Sequence, residues 1–269
     1  MLTDITLGQY FPGRSFLHRL DPRTKLVGTI IFISAIFLAQ SYVAYGALTA
    51  FAALAVFLSG VPVRLVARSV RPLWVIILLT VLIHIFTTPG TVIYKLGPLT
   101  ATQEGVRQGA LMTARLVFLI VMSSLLTFTT SPIVLTDGIE RLLNPFRRFG
   151  LPAHELAMMM TIALRFIPTL LEETDRIMKA QMARGADFGS GNIVRRAKSM
   201  VPLLVPLFIS AFRRADELAV AMEARCYRGG ENRTRMKELR LTARDGLAFA
   251  AVLALLAVLG ALRWNGPLS

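Results

Sequence analysis

From Leu26 to Leu58 the chain is almost unbroken apolar sequence, 33 residues with the polar pair Gln40-Ser41 as its break. A helix crosses the hydrocarbon core of a bilayer with about 20 residues. A run of this length must therefore fold back, and it predicts a hairpin of two spans, residues 26–40 and 43–59, joined by an uncharged turn. Further apolar runs cover 73–86, 110–130 and 247–262. With 54% apolar residues and a mean hydropathy of +0.59, the composition lies outside the usual globular range. The expected fold is all-α: a polytopic integral membrane protein of about five transmembrane helices. No short apolar core with a small-residue cleavage site precedes Leu26, so the first span is expected to belong to the mature protein.

Charge sets the expected orientation. The net charge of +14 would suggest nucleic acid on a soluble surface, but the basic residues are confined to segments between apolar runs. Positions 1–25, 60–73 and 130–245 hold 26 of the 30 Lys and Arg residues, leaving only Lys95, Arg107, Arg115 and Arg263 for the other side. Cytoplasmic loops carry such an excess, so the N-terminus is expected in the cytoplasm of a bacterial-type cell and the C-terminus outside, with no nucleic-acid partner. Arg115 is expected to snorkel to the interface.

Three regions follow. Residues 1–130 form an N-terminal membrane region of about four spans, the first opened by Asp21 as cap and Pro22 in the first turn. Val63 to Arg71 suggests a short interfacial helix, with Arg64, Arg68 and Arg71 on one face. Residues 131–245 are water-facing or interfacial and read as long cytoplasmic amphipathic helices over 133–149, 151–184 (kinked at Pro168) and 201–225, with a glycine-rich loop at 185–191 between the last two. Residues 246–269 supply the last span and a short external tail.

Familiar catalytic devices are missing. There is no G-x-x-x-x-G-K-[ST] phosphate loop, and the loop at 185–191 lacks the Lys-Ser/Thr that would make it one. The single cysteine, Cys226, excludes an intramolecular disulfide and a thiol metal cluster. His18, His84 and His154 stand in no metal-ligand pattern, so no metal site is expected. His84, inside a span, is either a functional group or a hydrogen-bonded residue near the external interface. The proposed spans hold no Asp or Glu, which weighs against an ion-coupled carrier acting alone. No paired carboxylates or nucleophile triad can be assembled, so the chain is not expected to be an enzyme.

What remains is a short device used twice. Ala183-Arg184-Gly185 and Ala224-Arg225-Cys226 each close a long helix, at an offset of 41 residues that also sets Asp175 on Asp216 and Ala180 on Ala221. A cation in a last helical turn is stabilised by the helix dipole, typically by ~0.3–1 kcal/mol, and one such pair needs no other explanation. The duplication favours docking: a guanidinium at a helix tip presents five donors suited to a carboxylate in a partner's groove, and Gly185 and Cys226 would keep the tips narrow. Ala211, Ala215 and Ala219 form a small-residue stripe that, with Ala180 and Ala183, would let the helices cross closely; alanine is also simply a good helix former. Met158, Met159 and Met160 are either core or lipid contacts, or an adaptable surface for a membrane partner.

With these residues, Leu17-His18-Arg19-Leu20-Asp21-Pro22-Arg23-Thr24-Lys25-Leu26, Ala163-Leu164-Arg165-Phe166-Ile167-Pro168 and Met222-Glu223-Ala224-Arg225-Cys226-Tyr227-Arg228-Gly229, the chain resembles the transmembrane T-component of energy-coupling factor (ECF) transporters, the EcfT family, over nearly its whole length. The resemblance implies a non-catalytic scaffold of an ATP-driven importer of micronutrients, vitamins or metal ions. Its implied partners are two cytoplasmic ABC-type ATPases, which bind the ATP and Mg, and a small membrane S-component, with several interchangeable S-components served in turn. It also implies that Arg184 docks in one ATPase and Arg225 in the other, with Cys226 standing where glycine is commonest. A self-sufficient carrier or channel, working without ATPases, is the alternative.

Overall fold

The computed structural model describes residues 10–39, 41–96, 99–188, 192–229 and 239–265. Gln40, the end of the glycine-rich loop at 189–191, Gly230 and the tail at 266–269 lie outside the described residues. The chain divides into two compact units, one of Gly8–Gly138 with Glu238–Ser269 and one built on Ile139–Lys237.

The first unit is a helical bundle. α1 (Pro22–Leu38) starts as its sequence suggests, with the Asp21 carboxylate accepting from the Arg23 N–H at 2.9 Å and Pro22 at the first position. α2 (Tyr42–Ser59) returns beside it. Its cap is Ser41, which accepts from the Ala44 N–H, and its stop is Gly60 at φ 63°. α3 (Val63–Val70) and α4 (Trp74–Thr87) are joined by a single 3-10 turn at Arg71–Leu73, where Pro72 lacks the N–H that would continue the α-helical ladder. The short interfacial helix expected over 63–71 is thus the first part of a nearly continuous 25-residue helix, Val63–Thr87. No residue of α4 is fully buried, and Trp74, Ile76, Leu79 and Ile83 are all exposed, as on a surface meant for lipid.

The connection to α5 contains the one departure from helix among the described residues. β1 (Val92–Leu96) and β2 (Leu99–Thr102) pair as an antiparallel hairpin, with Val92 opposite Thr102 and Leu96 opposite Leu99. Thr102 then caps α5 (Gln103–Thr129), accepting from the Gly105 N–H at 3.1 Å. This helix begins seven residues before the apolar run at 110, because a good cap and first turn extend it beyond its apolar part. Its early glycines are packing positions: a Cβ on Gly105 would stand 2.5 Å from the His84 carbonyl oxygen, and one on Gly109 would stand 3.5 Å from that of Val81. Small residues four apart are what let two membrane helices approach to backbone contact. His84 itself hydrogen-bonds through Nδ1 to the Thr80 carbonyl at 2.9 Å.

α9 (Ala243–Asn265) packs on α1 and α2, and the core between them and α5 is formed by Phe32, Ile36, Leu48, Leu125 and Leu259. A polar clasp ties the ends of these helices together. Buried Asp245 caps α9 through Thr242 and also accepts from the Asp21 N–H at 2.7 Å, while Arg23 forks onto the Asp21 carboxylate with two contacts of 3.0 Å. Lys25 donates to the Thr129 carbonyl at 2.9 Å and the Thr130 hydroxyl at 3.2 Å, closing the end of α5.

Among the described residues, five helices are long and apolar enough to cross a membrane: Tyr42–Ser59, Val63–Thr87, Gln103–Thr129, Ala153–Ala183 and Ala243–Arg263. Compared with the sequence-based set, α7 (Ala153–Ala183) enters and the 17-residue α1 does not. At 1.5 Å per residue the 17-residue α1 rises about 25 Å and is one residue shorter than α2, so it differs little from a span in length, while the N-terminal half of α7 is itself apolar.

The second unit contains the end of α6 (Pro132–Leu143), a 3-10 turn at Asn144–Phe149, α7, and α8 (Ile193–Ala224).

Candidate functional site

α7 and α8 are 31 and 32 residues long, about 47 Å each, and three sets of hydrogen bonds fix how they lie. Near their middles Glu173 accepts from the Ser210 hydroxyl at 2.5 Å and from Arg214 at 2.9 Å. Toward the end of α7, the Gln181 side-chain amide donates to the Pro202 carbonyl at 3.4 Å. That carbonyl is left open inside α8 because Pro206, four residues on, has no N–H to give it. At the other end Tyr227, just past α8, meets His154 in the first turn of α7 at 3.3 Å, and His154 meets Glu140 of α6 at 3.0 Å. The helices therefore run antiparallel, and their C-terminal tips lie at opposite ends of the pair.

The two tips have one geometry. Arg184 caps α7: the Gly185 N–H donates to the Met182 carbonyl at 3.0 Å and the Ala186 N–H to that of Gln181 at 2.9 Å, with Gly185 at φ 87°. Arg225 holds the same place on α8: the Cys226 N–H donates to the Glu223 carbonyl at 2.8 Å and the Tyr227 N–H to that of Met222 at 3.0 Å, with Cys226 at φ 55°. Both are Schellman closures, in which a left-handed residue turns the chain back onto the last carbonyls. Cys226 is the only non-glycine residue with positive φ among the described residues. A Cβ on Gly185 would touch nothing within 4 Å. Each tip is thus closed by a left-handed residue, glycine on α7 and cysteine on α8.

Ala183, Arg184, Ala224, Arg225 and Cys226 are all exposed. Among the described residues neither tip guanidinium has a hydrogen-bond or ion-pair partner. Each cation is also at the negative end of a long helix, which holds it favourably without neutralising it. The fold does not gather the arginines into one site; it presents each alone, on a rigid stem, at its own end.

The other candidate residues are placed as follows. Ala211 is half-buried, while Ala180, Ala215 and Ala219 are exposed; hydrogen bonds between the helices run through Glu173, Ser210, Arg214 and Gln181. Met158 is half-buried and Met159 and Met160 are exposed. On α8, Val201, Leu204, Val205, Phe208, Ile209 and Phe212 make an exposed apolar stripe at helical spacing. The polar bonds between the helices and the Glu140–His154–Tyr227 chain were not legible in the sequence, since they join residues 14 to 73 positions apart.

The family of cobalt transport proteins, CbiQ, matches residues 13–236 of this chain. Similar proteins named energy-coupling factor transporter transmembrane protein EcfT occur in Acidaminococcus fermentans, 62% identical over 99% of this chain and 100% of that protein, and in Thermosediminibacter oceani, 62% identical over 96% and 97%. The protein of that name in Bacillus subtilis is 49% identical over 98% of this chain and the whole of its own length. Membrane-length helices and end-to-end similarity agree: the chain belongs to the EcfT family of energy-coupling factor transporter transmembrane proteins.

Proposed function

We propose that this multi-pass membrane protein is the mechanical link of its transporter, joining two cytoplasmic ABC-type ATPases to a small membrane S-component that binds a vitamin or metal ion. The carrying observation is the pair of matched, exposed arginine tips at opposite ends of the α7–α8 pair. One guanidinium at each end suits two separate sockets better than a single binding site would. Arg184 engages one ATPase and Arg225 the other, each through carboxylate or carbonyl acceptors in a groove. Ala183 with Gly185, and Ala224 with Cys226, form the closures that aim them.

ATP and Mg are bound by the ATPases. When the ATPases close on ATP, the tips move with them, and two stems crossed at Glu173, Ser210 and Arg214 convert that motion into a shift of the apolar faces. Met158, Met159, Met160 and the exposed stripe of α8 supply the surface for the S-component, which several interchangeable S-components share. The charge distribution supports a cytoplasmic N-terminus and a cytoplasmic side for the region 131–245, so α7, although long and apolar enough to cross, lies along the membrane face with both arginine tips on the cytoplasmic side.

The test is co-purification and coupled uptake with Arg184→Glu, Arg225→Glu and both together. Each single variant is expected to weaken recruitment of the ATPases, and the double variant to abolish recruitment or uncouple hydrolysis from uptake. An intact, fully coupled complex with both arginines reversed overturns the proposal.

A further inference from the structure

Tyr227, two residues after Arg225, is joined to two other helices by a chain of side-chain bonds that helix-tip docking leaves unexplained. Its hydroxyl lies 3.3 Å from Nε2 of His154, the second residue of α7, and Nδ1 of that ring lies 3.0 Å from a carboxylate oxygen of Glu140 on α6. The chemistry gives this chain one direction. A carboxylate only accepts, so Nδ1 donates to Glu140. The positive end of α7 favours the uncharged ring, and in that ring Nε2 accepts from the Tyr227 hydroxyl. The Glu140 and His154 side chains are only 12% and 26% exposed, which raises the cost of breaking the bond between them. Tyr227 is half-buried beside them, while Arg225 stands exposed.

The tip that carries this chain is also the one closed by a side chain in the left-handed region. Gly185 adopts φ 87° on α7 without steric cost, whereas Cys226 at φ 55° sets its Cβ against its own backbone. By backbone conformation, the α8 closure is the weaker of the two. It is made by the N–H groups of Cys226 and Tyr227, bonded to the carbonyls of Glu223 and Met222. A Tyr227 side chain held from outside the helix keeps the second of these bonds in register, and with it the turn from which Arg225 projects.

We propose that Glu140, His154 and Tyr227 are positioning residues for Arg225: through Tyr227 they hold the α8 tip closed and its guanidinium aimed, offsetting the left-handed cysteine. The inference rests on the docking role of Arg225 and deepens it, since it makes the aim of that arginine, and not that of Arg184, answer to α6 and the start of α7.

The experiment uses the full-length chain in neutral detergent and reads two quantities: amide hydrogen exchange at the tips, and the affinity of the purified ATPase pair. Tyr227→Phe removes one hydroxyl and leaves the ring. It is expected to speed exchange of the Cys226 amide and of the amide at position 227 by roughly two- to tenfold, the worth of one hydrogen bond. The Ala186 amide, in the matching closure on α7, should not change. His154→Leu is expected to act like Tyr227→Phe, and His154→Gln, which keeps a donor and an acceptor, to lose less. Cys226→Gly added to Tyr227→Phe should bring exchange at position 227 back toward the natural rate. ATPase affinity is expected to fall by a similar factor with Tyr227→Phe, and by the same factor again on top of Arg184→Ala. On top of Arg225→Ala it should not fall further, the pattern of two residues serving one contact. Equal losses in the two arginine backgrounds, or unchanged exchange at the α8 tip, overturns the proposal and leaves arginine docking standing. If Arg225→Ala by itself leaves ATPase affinity unchanged, the docking role falls and the proposal falls with it.

Discussion

At the scale of single residues, the two helix tips differ in one atom group that has a measurable consequence. Both need a left-handed residue after the arginine; α7 uses glycine and α8 uses Cys226 at φ 55°. A side chain in that conformation costs about 1–2 kcal/mol, of which glycine returns about 0.4–1 kcal/mol to the unfolded chain. Cys226→Gly is therefore expected to stabilise the α8 closure by up to about 1 kcal/mol, and Gly185→Ala to weaken that of α7 by about as much. Hydrogen exchange checks both: the Tyr227 amide, bonded to Met222, should exchange more slowly in the first variant, and the Ala186 amide, bonded to Gln181, faster in the second. Lys25, one residue before the apolar run at Leu26, gives a prediction of a different kind. Burial pushes its ammonium down to about 8, against the opposing pull of Asp245 and Asp21. A lysine whose folded pKa is below its unfolded value loses its proton first in the folded state, so stability is lowest below pH 8 and rises as pH climbs toward 10.5. The thermal midpoint should accordingly gain more between pH 7.5 and 9.5 in the natural chain than in Lys25→Met.

At the scale of elements, the helix hairpin was plain in the sequence because an apolar run of this length has few ways to fold, and Asp21-Pro22 marked its start by cap chemistry that acts within three residues. What the sequence hid depends on partners distant along the chain. Val92 to Leu96 is a strand because Leu99 to Thr102 pairs with it, and within a Gly-, Pro- and Thr-rich stretch it reads as loop. Asp21 and Asp245 meet across 224 positions. Gly105 looks like a poor residue for a helix until the His84 carbonyl is seen to fill the space where its Cβ would be. The device at the tips was legible as a duplicated pattern, but its left-handed backbone was not, since cysteine does not announce positive φ. Gly105 supplies the test at this scale. With 2.5 Å to a backbone oxygen that no rotamer change can move, Gly105→Ala must push α4 and α5 apart. The expected cost is about 1–3 kcal/mol, measured as a lowered unfolding midpoint in detergent, whereas Gly46→Ala, with nothing within 4 Å, is expected to be neutral or slightly stabilising.

For the molecule as a whole, the open quantity is which face of the membrane the helix tips occupy, and the chain carries its own reporter. Cys226 is its only cysteine, is exposed, and stands between Arg225 and Tyr227 at the α8 tip. On the orientation proposed from the charge asymmetry, 26 basic residues on one set of segments against four on the other, this tip faces the cytoplasm. In intact cells a membrane-impermeant maleimide should leave Cys226 unmodified and should react only after permeabilisation. Ile93→Cys in a Cys226→Ser background, on the exposed hairpin between α4 and α5, should show the reverse, reacting in intact cells. Labelling of Cys226 from outside would invert the topology and with it the placement of both arginines. The same thiol also separates topology from docking. If Arg225 sits in an ATPase groove, co-expression of the ATPases should slow labelling of Cys226 in permeabilised cells. Arg225→Glu should restore the fast rate, because removing the guanidinium frees the neighbouring thiol without changing the side of the membrane it occupies.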